Sequence, residues 1–205
     1  MPAGPPPRRG RLMVLAGPSG VGKSSIVDRL RSELPDLHFS VSATTRAPRE
    51  GEVEGIHYHF VDRTEFDRLI ADGELLEWAE VHGGLQRSGT PREPVERELA
   101  AGHPVLVEVD LQGARSVKQV MPDSVTVFVE PPSFEELARR LTDRGTETPE
   151  VRERRLRTAV EEMAARDEFD VVVVNDEVQA VVDRLVELLV APAGVPHSSV
   201  SGVSE

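Results

Sequence analysis

The amino-acid sequence predicts an α/β fold in which a parallel β-sheet is covered by helices on both faces. Three observations lead to this prediction. Near-continuous runs of valine, isoleucine and leucine alternate with helix-like segments, which is typical of strands buried on both faces. A glycine-rich segment joins the first such run to the first helical pattern. The 205 residues are enough for one domain with a sizeable core, because most domains hold about 100–200 residues.

The predicted elements follow one another in this alternating order. The first strand is Leu12–Ala16, and the first helix covers 23–34, with an apolar face that includes Ile26 and Leu30 and with Pro35 ending it. Three further β-branched runs predict strands, and each is followed by a helical pattern. These strands cover residues 105–109, 125–129 and 171–174, and the helices cover residues 111–120, 133–141 and 177–190.

The segment from 39 to 81 has a different pattern. Residues 57–61 and 75–81 alternate polar and apolar side chains, as half-exposed antiparallel strands do. This pattern predicts a small mixed α/β insert beside the main sheet. Residues 1–10 and 191–205 are rich in proline, glycine or serine and lack a periodic apolar pattern. We therefore expect both ends to be disordered and the folded domain to cover 11–190.

The composition excludes several classes of function. With 24 basic and 36 acidic residues, the formal net charge is −12, which excludes a surface that broadly attracts nucleic acid. The chain has no cysteine, which excludes disulfides, thiolate metal sites and cysteine nucleophiles and fits a reducing compartment. No apolar run reaches the roughly 18 residues of a membrane span, and the first ten residues lack the apolar region of a secretory signal. We expect a cytoplasmic protein without nucleic-acid or membrane partners, and the oligomeric state is left open.

A glycine-rich loop between the first strand and the first helix matches G-x-x-x-x-G-K-[ST], the pattern of a phosphate-binding loop. In such loops the glycines let backbone N–H groups point at phosphate oxygens, the lysine contacts the β- and γ-phosphates, and the hydroxyl ligates Mg²⁺. The start of the following helix adds its positive dipole end. The sequence thus predicts a nucleoside triphosphate site on a phosphate-loop NTPase-type fold, formed by Gly17, Pro18, Ser19, Gly20, Val21, Gly22, Lys23 and Ser24.

The loop from 40 to 52 indicates a second anion site. It combines hydroxyl side chains with Arg46 and Arg49, in a protein whose net charge is strongly negative. Two arginines three residues apart among serines and threonines suit a phosphate monoester as the ligand. The alternative is an ordinary solvated loop.

Seven segments, in the same order and spacing, resemble the guanylate kinase family over about residues 11–190. They are the phosphate loop, SATTRAPREGE, GIHYHF, ELLEWAEVHG, VLVEVDLQGA, LTDRGTET and VVVVND. The resemblance implies that the γ-phosphoryl group of ATP is transferred to GMP, with Mg²⁺ as the cofactor. It also implies a core formed by about 11–38, 92–136 and 169–190, a GMP-binding insert over about 39–91, and a helical lid over about 137–168.

The same resemblance implies roles for individual residues on the GMP side. The residues matched to the family's contacts with the GMP phosphate, together with a further hydroxyl, are Ser42, Arg46, Arg49, Tyr58 and Thr90. Glu77 matches the carboxylate that reads guanine, and Asp110 matches an acidic residue near the base. The chemistry suits guanine, because one carboxylate accepts from its adjacent N1–H and N2–H donors, whereas adenine has an acceptor at N1. Packing is the alternative for Tyr58, and a surface position is the alternative for Glu77.

On the ATP side, the resemblance implies three lid arginines that bridge the phosphates of both substrates when the lid closes, matched by Arg140, Arg144 and Arg155. Together with Lys23 they form the predicted catalytic group, and Ser24 is the predicted metal ligand. Asn175 matches a position near the adenine of ATP, with a helix cap as the alternative. Glu108 stands where the family often has aspartate, which leaves its part in Mg²⁺ binding open.

The chain departs from the family in one segment. The family usually has G-N-Y-Y-G-[ST], whose second tyrosine contacts the GMP phosphate, whereas residues 83–90 read GGLQRSGT. That contact is either missing or supplied by Ser88 or Arg87. Two other functions stay in view. A non-catalytic interaction module would be expected to lose Lys23 or the lid arginines, and a kinase for another small phosphate ester is disfavoured by Glu77.

Overall fold

A computed structural model describes residues 9–81, 85–143 and 149–190, and its strands and helices largely alternate along the chain. The strands are β1 (Leu12–Ala16), β2 (His38–Phe39), β3 (Ala43–Thr44), β4 (His59–Phe60), β5 (Leu75–Val81), β6 (Gln86–Pro91), β7 (Val105–Glu108), β8 (Val125–Glu130) and β9 (Val171–Val174). The helices are α1 (Lys23–Glu33), α2 (Arg63–Ala71), α3 (Arg92–Ala101), α4 (Leu111–Val120), α5 (Phe134–Asp143), α6 (Pro149–Ala164) and α7 (Val178–Val190), and a short 3₁₀ helix (Arg166–Glu168) follows α6.

A five-stranded sheet in the order β2-β7-β1-β8-β9 forms the core, and all of its neighbouring strands are parallel. β1 is buried along its whole length, and its side chains alternate between the two faces of the sheet. Met13 and Leu15 pack in a cluster with α1 and α7, while Leu12 and Val14 pack in a cluster with α3 and α4. The predicted parallel sheet with helices on both faces is therefore confirmed.

The predicted core elements lie within two residues of the observed ones. The strand predicted over 105–109 ends at Glu108 because the chain turns toward Asp110, which caps α4 by accepting from the N–H of Gly113 at 2.7 Å. The helix predicted over 133–141 begins at Phe134 because the Ser133 hydroxyl accepts from the N–H of Glu136 at 3.1 Å. Side-chain caps thus explain these two shifts.

The insert contains a four-stranded sheet in the order β4-β3-β6-β5, in which β6 is antiparallel to both of its neighbours. The antiparallel strand predicted over 75–81 is confirmed, but the one predicted over 57–61 is wrong. Only His59–Phe60 form a strand there, and it pairs parallel with β3. The reason is the loop 45–58, which leaves the end of β3 and returns to its start. The N–H groups of His59 and Val61 consequently donate to the carbonyls of Ser42 and Thr44.

The two ends of the chain lie mostly outside the described residues. Residues 1–8 and 191–205 are not among them, so the disorder expected at both ends stays a prediction. Gly10 is described, and its N–H donates to the carbonyl of Leu99 at 2.8 Å. Within the three described ranges, no helix is both long enough and apolar enough to cross a membrane.

Candidate active site

A cleft of about 520 Å³ opens at the carboxyl ends of β1 and β7 and is closed on its other side by β5 and β6 of the insert. The carboxyl ends of parallel strands are where such sheets bind ligands. The core thus supplies one wall of the cleft and the insert supplies another. The residues with predicted roles that line it are Gly17, Ser19, Lys23, Ser24, Ser42, Tyr58, Glu77 and Asp110.

The phosphate loop has a backbone shape that requires glycine. Gly17 and Gly22 have φ angles of 146° and 106°, in the region that side chains disfavour. At Gly17 there is also no room for a side chain, since a Cβ would lie 2.4 Å from the carbonyl oxygen of Val129. α1 begins directly after Gly22, which brings no capping side chain, so the N–H groups of the first helical turn are available to a bound anion.

Lys23 is buried beside this loop. Its Nζ donates to the carbonyl oxygens of Gly17 at 2.7 Å and Pro18 at 3.4 Å. Burial lowers the pKa of the ammonium group, and the negative charges of Glu108, Glu162 and Asp110 act in the opposite direction. The loop carbonyls thus hold the ammonium group beside the phosphate loop, and the nearby carboxylates favour its charged form.

The predicted lid arginines contact the loop from two helices. Arg140 of α5 donates from Nη1 to the carbonyl oxygen of Val21 at 3.1 Å, and Arg155 of α6 donates from Nη2 to the hydroxyl of Ser19 at 2.8 Å. Arg140 also donates from Nε to Glu136 at 2.8 Å. Arg144 lies outside the described residues. Two of the three arginines are therefore already at the phosphate loop.

Asn175 follows β9 and is only 3% exposed. Its Nδ2 donates to the same Val21 carbonyl at 2.7 Å. The helix-cap alternative is wrong, because Oδ1, the atom that would accept from a helix N–H, has no hydrogen-bond partner in the described part of the chain. The expected contact with adenine stays a prediction.

Glu77 lies on β5, and its Oε1 accepts a hydrogen bond of 2.6 Å from the hydroxyl of Thr90 on β6. It is 8% exposed, so the surface alternative is wrong. Burial raises the pKa of the Glu77 carboxyl to about 6; hydrogen bonds from Thr90 oppose this rise and the charge of Asp110 adds to it. A Cβ at Gly113 would lie 3.2 Å from Oε2 of Glu77 and 3.3 Å from Oδ1 of Asp110, so both carboxylates approach the first turn of α4.

The two arginines of the second anion site are held by one carboxylate. Arg46 donates from both Nη atoms to Glu52 at 2.6 Å, and the backbone N–H of Arg49 donates to Glu52 at 2.7 Å. These hydrogen bonds lower the pKa of Glu52 to about 2. The guanidinium of Arg46 also lies 4.7 Å from the ring centre of Tyr58. Neither arginine is among the described residues that line the cleft, whereas Ser42 and Tyr58 are.

The alternation of side chains along β6 distinguishes Ser88 from Arg87, the two residues that could replace the family's tyrosine. Ser88 lines the cleft. Arg87 points to the opposite face, where it forms an ion pair with Asp67 and lies 5.9 Å from the ring centre of Trp78. Neighbouring side chains of a strand point to opposite faces, so both cannot face the cleft. The suggestion that Arg87 supplies the contact is therefore wrong for this structure, and Ser88 remains the candidate.

Glu162 is a cleft residue that the sequence interpretation did not include. It lines the cleft together with Ser19 and Lys23. Burial raises the pKa of Glu162, against the effect of Lys23. Glu162 and Arg155 are seven residues apart, which places both on one face of α6. The sequence alone does not single out Glu162, because Arg154 and Glu161 have the same spacing.

The fold and the cleft define a class of protein. A phosphate loop follows the first strand of a parallel sheet, and an insert across the cleft presents a buried carboxylate next to hydroxyl side chains. This is the arrangement of a phosphate-loop kinase.

Comparison with known proteins identifies the family. The guanylate kinase family model matches residues 9–192. The guanylate kinase of Nocardia farcinica is 65% identical over 184 residues, which is 90% of this chain and 95% of the relative. That of Thermobifida fusca is 60% identical over 183 residues, covering 89% of this chain and 92% of the relative. The crystal structure of guanylate kinase from Anaplasma phagocytophilum aligns with a TM-score of 0.74 at 36% identity, covering 92% of this chain and 89% of that one.

The chain belongs to the guanylate kinase family. It is a kinase, and its activity is the phosphorylation of GMP by ATP.

Proposed function

We propose that GMP binds between β5 and the end of β7, that the triphosphate of ATP binds on the phosphate loop, and that the described cleft residues transfer the γ-phosphoryl group between them. One observation carries the proposal: the buried carboxylate of Glu77 lies in the same cleft as Lys23 and Ser24. The cleft therefore offers a group that recognises a base and a group that recognises a triphosphate.

Guanine recognition rests on Glu77 and its neighbours. Oε1 already accepts from Thr90, which fixes the carboxylate, and it retains further acceptor capacity for the N1–H and N2–H donors of guanine. Asp110 lies beside it at the start of α4. Adenine would leave the buried carboxylate facing the lone pair of N1, which is costly because a buried charge then lacks a partner.

The phosphate of GMP binds to Ser42, Tyr58, Arg46 and Arg49 in this proposal. Ser42 and Tyr58 already line the cleft. Arg46 is paired with Glu52, and its binding to phosphate replaces one bidentate anion with another. Thr90 contributes by orienting Glu77 rather than by reaching the phosphate, because its hydroxyl is buried against that carboxylate.

The donor site combines the loop N–H groups with Lys23 and Ser24. We assign Mg²⁺ to the Ser24 hydroxyl, an oxygen ligand of the kind that Mg²⁺ prefers, in a cleft that also holds the carboxylates of Glu108 and Asp110. When bound, Mg²⁺ neutralises charge on the β- and γ-phosphates. Asn175, which donates to the Val21 carbonyl of the loop, belongs to the donor site in this proposal.

Catalysis needs no general base, since the acceptor phosphate is already anionic near neutral pH. The barrier lies in charge repulsion and alignment, so positive groups that meet the transferring phosphoryl carry the reaction. We assign this role to Lys23, Arg140 and Arg155, and to Arg144 from the part of the chain outside the described residues. Closure of residues 137–168 as a lid excludes water from the γ-phosphate.

The proposed division of the chain follows from these roles. Residues 11–38, 92–136 and 169–190 form the core, residues 39–91 form the GMP-binding insert, and residues 137–168 form the lid. We also propose the cytoplasm as the location, which the absence of cysteine fits.

The test is a coupled ADP-release assay with MgATP and, in turn, GMP, AMP, UMP, CMP and dTMP. We expect turnover with GMP to exceed that with every other acceptor by at least about 100-fold, because a buried carboxylate rejects bases that lack two adjacent donors. Equal turnover with another acceptor would identify a kinase of different specificity. No ADP release with any acceptor, from protein that binds GMP, would favour the interaction module.

A further inference from the structure

The carbonyl of Val21 lies in the middle of the phosphate loop and accepts two side-chain hydrogen bonds, from Asn175 and Arg140. Val21 is fully buried, and a buried carbonyl requires a hydrogen-bond partner. Two donors are more than this carbonyl needs. The second donor is therefore available for another task without leaving the carbonyl unpaired.

The two donors differ in how firmly they are held. Asn175 is 3% exposed, and its backbone N–H donates to the carbonyl of Glu130 on β8 at 2.7 Å. Its Nδ2 lies against Gly22, where a Cβ would approach to 2.5 Å. The side chain of Arg140 is 33% exposed and reaches the loop from α5. Asn175 is thus the fixed donor, and Arg140 is the donor that can leave.

We infer that Asn175 is a positioning residue for the triphosphate: it holds the Val21 carbonyl, and with it the shape of the phosphate loop, while Arg140 leaves to bind the phosphates. This inference rests on the proposed use of the loop and of Arg140. It gives Asn175 a task that differs from a contact with adenine. Nδ2 is bonded to the loop, so the side chain acts on ATP through the backbone that surrounds the phosphates. The buried Oδ1, which has no hydrogen-bond partner among the described residues, is the atom through which a direct contact with adenine would be made instead.

This role has a consequence for donor specificity. The loop N–H groups contact phosphate oxygens and do not read the base. A variant that loses the Asn175 hydrogen bond should therefore weaken all triphosphates equally. A variant that loses a contact with adenine should weaken ATP alone.

The experiment measures dissociation constants for three probes in the presence of Mg²⁺: ATP, inosine triphosphate and inorganic tripolyphosphate. Inosine triphosphate has a carbonyl oxygen where adenine has its amino group, and tripolyphosphate has no base. For Asn175→Ala we expect about a tenfold weaker affinity for each probe, the loss expected when a buried hydrogen bond that shapes the site is removed. The ratio of the ATP and inosine triphosphate constants should stay that of the wild type.

Asp176→Ala is the matched control, because Asp176 is the next residue, is exposed, and accepts from the backbone N–H of Glu177 rather than bonding to the phosphate loop. It should leave all three constants unchanged. Asn175→Asp is the second variant. It keeps the size of the side chain and replaces the donor by an oxygen that faces the Val21 carbonyl, so it should weaken all three probes at least as much as Asn175→Ala.

The outcomes separate the possibilities. Weaker binding of ATP alone would overturn the inference and make Asn175 a reader of adenine. Unchanged constants for all probes in a folded Asn175→Ala protein would also overturn it, as would failure of both variants to fold, which would make Asn175 a core residue only. If the wild-type protein binds neither ATP nor tripolyphosphate, the proposed donor site itself fails.

Discussion

The donor side and the acceptor side of the cleft hold their charged groups by different means. On the donor side, buried groups fix the phosphate loop: Asn175 bonds to its backbone, and Gly17 packs against β8 without room for a side chain. On the acceptor side, Arg46 is held by an ion pair with Glu52 and by the ring of Tyr58. The loop backbone on the donor side needs no rearrangement in this proposal, although Arg140 changes partners there, whereas on the acceptor side the ion pair between Arg46 and Glu52 has to open. If the two sites are used as proposed, the backbone of the phosphate loop is preorganised for ATP, and the phosphate of GMP replaces Glu52 at Arg46.

The largest expected effect comes from the donor side. Lys23→Met should lower kcat by about 100-fold or more, because the ammonium group stabilises charge that shifts toward the bridging oxygens as the phosphoryl group moves. Steady-state kinetics with saturating ATP and GMP measure it. Lys118→Met is the control, since Lys118 pairs with Asp170 on another part of the surface, and it should leave kcat within about twofold. Near-normal turnover of Lys23→Met would show that the phosphate loop is not the donor site.

On the acceptor side, Glu77→Gln should lower kcat/KM for GMP by about 100-fold, which corresponds to two decades at about 1.4 kcal/mol each. The glutamine amide replaces an acceptor by a donor, which opposes the N–H groups of guanine and suits N1 of adenine. Activity with AMP should therefore hold or rise. Glu80→Gln, three residues further along the same strand and exposed, is the control. An unchanged ratio of GMP to AMP activity would remove Glu77 from base recognition.

The acceptor side should make kcat/KM for GMP depend on pH. Because the pKa of Glu77 is raised to about 6, its carboxylate is increasingly protonated below that pH and then loses acceptor capacity for guanine. We expect kcat/KM for GMP to fall by about tenfold per pH unit below 6 from this group. The GMP phosphate titrates in the same range, with a second pKa of about 6. The ratio of wild type to Glu77→Gln isolates the carboxylate, and a ratio independent of pH would contradict this assignment.

The raised pKa of Glu77 affects the free energy of unfolding in the opposite direction: activity with GMP should rise with pH, whereas the contribution of Glu77 to stability should fall. A raised carboxyl pKa means that the folded state binds the proton more tightly than the unfolded state between the ordinary value and about 6. The contribution of Glu77 to the free energy of unfolding is therefore largest below the ordinary value. It is lost as the pH rises through about 6. Urea unfolding of wild type and Glu77→Gln without nucleotide, at a series of pH values, measures the difference.

The smallest effect is expected where the chain lacks the family's tyrosine. Ser88→Ala should raise KM for GMP by about threefold to fivefold and leave KM for ATP unchanged, as expected for one neutral hydrogen bond. Arg87→Ala, its neighbour on the other face of β6, should leave both KM values unchanged. It should lower the melting temperature, because the ion pair with Asp67 is lost. A higher KM for GMP in Arg87→Ala and not in Ser88→Ala would reverse the assignment.

The sequence predicted the donor side more completely than the acceptor side, for physical reasons. β1 and the phosphate loop combine an uninterrupted apolar run with glycines at defined spacing, and both signals are local. β4 has two residues, so its direction depends on the loop 45–58 and not on its own pattern. β6 reads QRSGTP, which has little strand propensity, and the alternation of Arg87 and Ser88 was not evident without that strand. The hydrogen bond from Asn175 to Val21 joins residues 154 positions apart, which no local pattern encodes.

Trp78 is the one tryptophan of the chain, and it lies on β5 next to Glu77 with 42% of its surface exposed. Intrinsic tryptophan fluorescence of this protein therefore originates entirely in the insert. Far-ultraviolet circular dichroism, in contrast, is dominated by helices that belong mostly to the core and α6. Unfolding followed by both signals compares the two regions in one sample. Coincident transitions indicate that insert and core unfold as one cooperative unit, and an earlier fluorescence transition indicates that the acceptor side opens first.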